Sequence, residues 1–179
     1  MRIIRSLLIS GYLDDSRLAR VLGEILDIGA AADPNGKLVV VFESEGGSLP
    51  ALLAFMECIL EDAPTRALIE RADVKIYEAY SAAAHLAFWM GGRREMAAGT
   101  KVGFHLPLLT LQFWDIDQDG QRVDTQLVKR GREYETLLAG LMERHGLTEP
   151  ELKTELYSSG WLYLTAEECV RRGLVHELF

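Results

Sequence analysis

The stretch 37-KLVVVFESEGGS-48 decides the fold class, because it joins a strand to a glycine pair and then to a helix. Its first part, Lys37–Phe42, is an almost wholly apolar run, typical of a parallel strand covered on both faces. Outward from it we predict helices over 14–32, 49–60, 81–90 and 120–145, and strands over 2–9, 73–77, 101–105 and 174–179. The segment Thr165-Ala166-Glu167-Glu168 has the spacing of a capping box, which predicts a further short helix. This alternation predicts an α/β fold with a largely parallel sheet and right-handed crossovers.

Composition limits the function classes. The chain has 179 residues, which predicts one domain over residues 1–179, and its net charge of −8 argues against a general nucleic-acid-binding role. Cys58 and Cys169 lie far apart, so we expect neither a disulfide framework nor a structural zinc site, and a reducing, cytoplasmic setting fits. The longest uncharged stretch starts at Ala79 and stops at Arg93, too short to span a membrane.

The glycine pair Gly46-Gly47 follows the first buried strand at its carboxyl end, where open α/β sheets place their chemistry. Paired glycines let backbone amides point into open space beside a helix N-terminus, which makes a site for an anion or an oxyanion. A tight strand-to-helix turn is the commoner explanation of a lone glycine pair. No lysine follows the pair, so a phosphate loop of the Walker type is excluded.

Ser81 follows the strand over 73–77 and opens an alanine-rich helix. A serine at such a junction can serve as a nucleophile, with the amide of Ala82 as an oxyanion donor. Serine is also a preferred N-cap residue, and taken alone that interpretation is favoured. The Gly-x-Ser-x-Gly elbow of α/β-hydrolases is absent from the sequence.

His105 ends the strand over 101–105 and is the candidate general base for a serine. A half-buried structural histidine is the alternative for any single histidine. The chain has three others. His85 shares a helix face with Ser81, whereas His145 and His176 lie at positions typical of solvent-exposed histidines.

In this order, these motifs resemble the Clp-type proteolytic subunits, within the wider Clp/crotonase fold. Ser44–Ser48 is similar to the family's Ser-Pro-Gly-Gly-Ser, and Ala79–Ala84 is similar to the segment that carries its nucleophilic serine. Arg94 precedes His105-Leu106-Pro107 by the family's eleven residues. The similarity extends over nearly the whole chain, so we expect any unfoldase to be a separate protein.

The resemblance implies a spiral of β-β-α units with a long protruding helix, and the activity of a serine endopeptidase. It implies Ser81 as the nucleophile, His105 as the base, and Gly46 or Gly47 together with Ala82 as oxyanion donors. It implies a peptide or unfolded-protein substrate, a homo-oligomer and a possible ATP-dependent unfoldase partner. We expect no cofactor, no metal, no nucleic acid and no membrane partner.

Departures from the family pattern leave alternatives open. Glu45 replaces the proline of the glycine motif, and Tyr77 replaces a glycine before the nucleophile. The family's catalytic aspartate falls on Trp161 or Ser159, depending on the direction of counting. Substitutes for it are Glu151, Glu155 or an aspartate within 115–119, unless the site works as a dyad. Two rival functions are an inactive scaffold or regulatory subunit and a crotonase-like enzyme acting on acyl thioesters.

Two segments after His105 carry weaker signals. Asp115, Asp117 and Asp119 match the first half of a calcium loop, but the twelfth position is Gln126, which favours an acidic loop before a helix. The segment over 106–114 is apolar and too long to leave exposed to water. It either lines a substrate cleft or packs against a neighbouring subunit.

Overall fold

The computed structural model describes residues 4–30, 37–105, 136, 139–140, 142–143 and 150–179. The strands in these ranges are β1 (Ile4–Leu13), β2 (Lys37–Gly47), β3 (Asp73–Tyr80), β4 (Arg94–Met96), β5 (Lys101–His105), β6 (Trp161–Thr165) and β7 (Glu177–Leu178). The helices are α1 (Asp15–Ala30), α2 (Leu49–Glu61), α3 (Ala63–Glu70), α4 (Ala82–Trp89), α5 (Pro150–Ser159) and α6 (Ala166–Arg171).

The strands form one seven-stranded sheet, in which β1, β2, β3, β4 and β7 follow one another and β5 bridges β3 to β6. Every pairing is parallel except that of β5 with β6. The structure therefore confirms a mixed α/β fold with a mostly parallel sheet. The antiparallel β5–β6 pair was not predicted, although the alternating WLYLT of β6 is a typical half-buried strand pattern.

The core lies between the sheet and its helices. In β2 the residues Leu38, Val40 and Phe42 are buried on one face, as the period of two requires. Helix α4 is buried over almost its whole length, because its small alanines let it lie close to β2 and β3. This packing against β2 and β3 fixes the start of α4, and Ser81 lies at that start as its N-cap residue.

Three strands end later than predicted. β1 runs to Leu13 rather than to Ile9. β2 continues five residues beyond Phe42 through the glycine pair, and β3 runs to Tyr80 rather than Tyr77. The β1–β2 register also continues through Gly47, so backbone hydrogen bonding carries the strand past the apolar run. The glycine pair is therefore part of a strand edge rather than a free turn.

Other helical predictions have mixed outcomes. The capping box at Thr165 is confirmed by reciprocal bonds with Glu168. Helix α3 was missed, although Asp62 caps it with a bond from the Thr65 amide. The predicted last strand shortens to Glu177–Leu178. Of the predicted helix over 120–145, only positions 136, 139–140 and 142–143 are described, each as helical, and the rest lies outside the described residues.

Candidate active site

Ser81 has an unusual backbone at the junction between β3 and α4. Its φ is 53° and its ψ is −124°, and it is the only non-glycine residue with positive φ in the described ranges. Such a conformation costs on the order of 1–3 kcal/mol and persists only where the surroundings impose it. Ser81 occupies the N-cap position of α4, but its side chain makes no capping hydrogen bond. The N-cap interpretation therefore does not account for this side chain.

The side chain of Ser81 is directed at His105 instead. Its Oγ lies 2.6 Å from Nε2 of the His105 imidazole. Strand pairing sets this distance, because β5 lies beside the end of β3 and the Ser81 amide donates to the Gly103 carbonyl at 2.7 Å. The structure thus brings together the two residues that the sequence placed at separate strand ends.

Gly46 lies against the backbone of the same junction. A Cβ atom built on Gly46 would lie 2.6 Å from the Tyr80 carbonyl oxygen, 2.7 Å from Ser81 Cβ and 3.2 Å from the Ala82 nitrogen. The φ of Gly46 is +101°, a value that side-chain-bearing residues rarely adopt. Only glycine fits here, because a side chain would collide with the Tyr80 carbonyl and Ser81 and would lie against the Ala82 nitrogen.

The two predicted glycine donors differ in their bonding. The Gly46 amide donates to Ser44 Oγ at 3.2 Å, and that hydroxyl donates to the Gly11 carbonyl at 2.6 Å. The Gly46 amide is therefore already engaged. Gly47 lies so close to Leu13 that an added Cβ would be 2.2 Å from the Leu13 carbonyl oxygen. Glu45, which replaces the proline of the family's glycine motif, has an exposed side chain, while both Ser44 and Gly46 are buried.

A chain of three aromatic rings begins at His105, and we call Trp161, Tyr163 and Tyr80 the aromatic wall. The Trp161 ring lies 4.4 Å from the imidazole, centroid to centroid, with 36° between the planes. Tyr163 stacks on Trp161 at 5.3 Å and 2°, and Tyr80 meets Tyr163 edge to face at 6.3 Å. Burial first, then the charge of Glu78 and the proximity of Tyr163, raises the pKa of Tyr80. Its phenol therefore stays protonated and neutral at physiological pH.

The candidates for a third catalytic group are not all described. Trp161, one of the two positions given for the family's catalytic aspartate, lies directly across from His105 in the β5–β6 pairing. Its position suits a third catalytic group, but its side chain is not a carboxylate. Ser159 is engaged locally, since its Oγ donates to the Glu155 carbonyl at 2.8 Å and accepts from the Trp161 amide at 3.1 Å. Glu155 is exposed. The side chain of Glu151 and the loop 115–119 lie outside the described residues.

The remaining histidines and Arg94 have other surroundings. His85 is buried in α4, and His176 Nδ1 accepts the Arg94 amide at 3.0 Å near the carboxyl terminus. The Arg94 guanidinium donates to the carbonyls of Leu174 and Met90, so it ties β4 to the carboxyl-terminal segment. His145 lies outside the described residues.

The described part of the chain contains neither a metal-binding cluster nor a membrane-spanning helix. No cluster of three or more His, Cys, Asp or Glu side chains that could hold a metal ion occurs within those ranges. The same ranges contain no helix with both the length and the apolar character to cross a membrane. The calcium-loop candidate Asp115–Gly120 and the apolar segment over 106–114 lie outside them.

Two features of this site could not be predicted from the sequence. The first is the positive φ of Ser81, because no local residue pattern encodes it and β5 and Gly46 impose it from a distance. The second is the contact of Trp161 with His105. The alternation of aromatic residues in 161–165 could have indicated a strand with a ring-bearing face, but not its partner.

Comparisons of the sequence with protein-family models and with curated proteins gave no match. The chemistry of the site must therefore be inferred from the arrangement of its own residues. That arrangement combines a strained serine, an imidazole within hydrogen-bond distance and a glycine edge beside a helix N-terminus.

Proposed function

We propose that this protein is a serine peptidase of the Clp proteolytic-subunit type. One observation carries the proposal: Ser81, strained and free of any capping bond, holds its Oγ 2.6 Å from His105 Nε2. A serine that only caps a helix uses its oxygen to accept a backbone amide, and this one does not. A nucleophile and base at this distance match the geometry that acyl transfer requires.

The first half of the reaction transfers the acyl group of the substrate to the enzyme. Ser81 Oγ attacks the scissile carbonyl carbon while its proton passes to His105 Nε2, which must be the unprotonated nitrogen of a neutral imidazole. The tetrahedral intermediate then breaks its C–N bond, and the imidazolium gives the same proton to the leaving amine. An ester links the acyl group to Ser81 at this stage.

The second half hydrolyses that ester. Water gives a proton to His105 Nε2 as its oxygen attacks the acyl carbon, and the imidazolium returns the proton to Ser81 Oγ as the ester bond breaks. The net result is a carboxylic acid and an amine from one peptide bond and one water. No cofactor takes part in this sequence.

Oxyanion stabilisation falls to backbone amides at the glycine edge and the helix start. We assign Ala82 as one donor, because its amide is the first of α4, directly after Ser81, and no side chain on Gly46 lies against it. Of the two glycines, Gly47 is the better second donor, because the Gly46 amide already donates to Ser44. Each such donor contributes roughly 10²–10³-fold to the rate in acyl-transfer enzymes.

The finer fold and the assembly are parts of the same proposal. The glycine edge, Ser81 and His105 follow β2, β3 and β5 in the order that the Clp-type subunits have, which supports a spiral of β-β-α units. A homo-oligomer that takes peptides or unfolded proteins, with or without a separate ATP-dependent unfoldase, follows from that resemblance. Gel filtration coupled to light scattering tests the oligomer directly.

Active-site labelling tests the chemistry. A fluorophosphonate carrying a fluorescent tag phosphonylates an activated serine with loss of fluoride, and we expect labelling of the wild-type chain but not of Ser81→Ala. The matched control is Ser158→Ala, which removes an exposed hydroxyl bonded only to a helix carbonyl. Labelling that persists in Ser81→Ala, or that disappears equally in Ser158→Ala, contradicts the proposal.

An inactive scaffold or regulatory subunit is the second candidate, and one observation favours it. Trp161, not a carboxylate, faces His105 across the strand pair, at the position that the resemblance gives to the catalytic aspartate. In that case the chain binds partners without cutting. A peptide or ester turnover that His105→Ala abolishes would rule this candidate out.

A further inference from the structure

We propose that Trp161 is a positioning residue for His105, which holds the imidazole by ring stacking and favours its protonated form. This inference rests on the proposed serine-peptidase function and adds a residue to its machinery. The indole of Trp161 can neither donate nor accept the proton that passes between Ser81 and His105. Trp161 therefore takes no direct part in the chemistry of this pair. Its effect must therefore pass through the ring it touches.

The contact is close and face-directed. The two centroids are 4.4 Å apart, within the ~6 Å over which a cation interacts with an aromatic face. A tilt of 36° keeps the indole face turned largely toward the imidazole. Since His105 becomes an imidazolium each time it takes the Ser81 proton, the electron-rich face of Trp161 stabilises the state that catalysis creates.

The surroundings hold Trp161 in this position. It pairs with His105 across β5 and β6, which sets the two side chains on one face of the sheet. On its other side Tyr163 stacks on it with the planes 2° apart. Tyr163 has room for this because Gly103 lies opposite, where an added Cβ would be 2.8 Å from the Tyr163 ring and 2.7 Å from Tyr80. Gly103 thus makes space for the aromatic wall.

In the part of the chain that the structure describes, the titratable and charged groups around this face come from β5, β6, β3 and the residue before α4. Lys101 of β5 places its Nζ 4.5 Å from the centroid of the Tyr163 ring, two rings away from His105. Tyr163 itself belongs to β6, and Tyr80 with the neighbouring Glu78 belongs to β3. Ser81 comes from the start of α4. Within residues 4–30, 37–105 and 150–179, Trp161 is the aromatic ring seen against the imidazole, so its removal changes that contact directly.

Two physical effects of an indole on an imidazole have opposite signs, which makes the inference testable. An aromatic face stabilises the cation, so we expect the replacement of Trp161 by leucine to shift His105 protonation to lower pH. A purely apolar cover would instead exclude water and penalise the cation. Its removal would then shift His105 protonation to higher pH.

The experiment follows the His105 ring signals by NMR in protein labelled at histidine, as a function of pH, in wild type and in Trp161→Leu. The His105 signals are assigned by their loss in His105→Gln. Trp161→Phe keeps an aromatic face and is expected to shift the titration less than Trp161→Leu. Tyr77→Leu removes an exposed ring that packs on Phe179 rather than on Trp161, and is expected to stay close to wild type.

A parallel measurement uses the rate of fluorophosphonate labelling against pH. In Trp161→Leu we expect the plateau rate to fall roughly two- to five-fold and the rising limb to move to lower pH, because the imidazolium is less stable. An unchanged or upward-shifted His105 titration in Trp161→Leu overturns the inference. The NMR titration needs no activity, so it judges Trp161 even if Ser81→Ala labels like wild type, which would defeat only the proposed function.

Discussion

Two serines stand at the same place in this fold, each between a parallel strand and the helix that follows it. Ser48 has φ −67° and ψ 120°, and its Oγ accepts the Ala51 amide at the start of α2. Ser81 has φ 53° and ψ −124° and leaves the start of α4 uncapped by its side chain. Ser48 therefore stabilises the start of its helix. Ser81 makes no capping bond, and its Oγ lies within hydrogen-bond distance of His105 instead.

The difference lies in what surrounds each junction, not in the local sequence. Gly46 and the Gly103 carbonyl lie against the backbone at Ser81, and its amide donates to that carbonyl at 2.7 Å. The Ser48 amide also donates to a neighbouring strand, at Leu13, yet its backbone stays extended. Strain at one of two equivalent positions is characteristic of a functional site.

The largest expected effect separates the two serines by activity. Ser81→Ala removes the nucleophile, and we expect a loss of at least about 10⁴-fold in peptide or ester hydrolysis. Ser48→Ala removes only a helix cap, so we expect about 1 kcal/mol of lost stability and a rate within about two-fold of wild type. Steady-state hydrolysis and urea unfolding measure both. Equal activity losses in the two variants would contradict the distinction.

A second test attacks the surroundings of Ser81 rather than its oxygen. Gly46→Ala places a methyl group against Tyr80 and Ser81 and before the Ala82 amide, so we expect roughly 10²-fold lower activity. Gly173→Ala is the matched control, because Gly173 also has positive φ, +70°, but open space around its Cβ direction. It should cost about 1 kcal/mol of stability and leave the rate unchanged. A Gly46→Ala variant of normal activity would refute the close approach.

A third test compares how glycine at each of the two serine positions changes the free energy of unfolding, because opposite signs are expected. Glycine adopts the backbone of Ser81 without penalty, so Ser81→Gly is expected to raise the free energy of unfolding by about 1 kcal/mol while abolishing hydrolysis. Ser48→Gly is expected to lower it by a few tenths of a kcal/mol. Urea denaturation of the two variants gives the comparison. Destabilisation by glycine at both positions would show that Ser81 is not strained.

The smallest effect concerns a third junction, between α2 and α3. Asp62 caps α3, and its bonds from Thr65 lower the pKa of this carboxyl below its ordinary value of 3.8. Its contribution to stability is therefore present above pH 3.8 and is lost as the pH falls through the lower folded pKa. In Asp62→Asn, unfolding followed from pH 6 to pH 2.5 should show a weaker loss of stability in acid. An identical acid profile would contradict this assignment.

The sequence predicted the alternation of elements and the residues of the site better than their geometry. The apolar run of β2 and the capping box at Thr165 could be predicted from the sequence, because burial and capping depend on local spacing. The serine of α4 was ambiguous, since an N-cap and a nucleophile use the same residue at the same place. Only tertiary contacts separate the two, and these come from Gly46 and His105, far away in the chain.

The elements that were missed have a common cause. β4 has three residues, too short for any periodicity, and its pairing depends on the neighbouring strands β3 and β7. The partner of Trp161 was equally invisible, because cross-strand neighbours follow from register rather than from composition. The third catalytic group remains a prediction that the described residues do not test.

Peptide mapping of the fluorophosphonate adduct on the wild-type chain tests the central claim most directly, because both serines compete for the reagent in one sample. After labelling and proteolysis, tandem mass spectrometry locates the modified residue. We expect one adduct, on Ser81, which is lost in His105→Gln, and none on Ser48. An adduct on Ser48 or another serine with Ser81 unmodified, or no adduct on any serine, would contradict it.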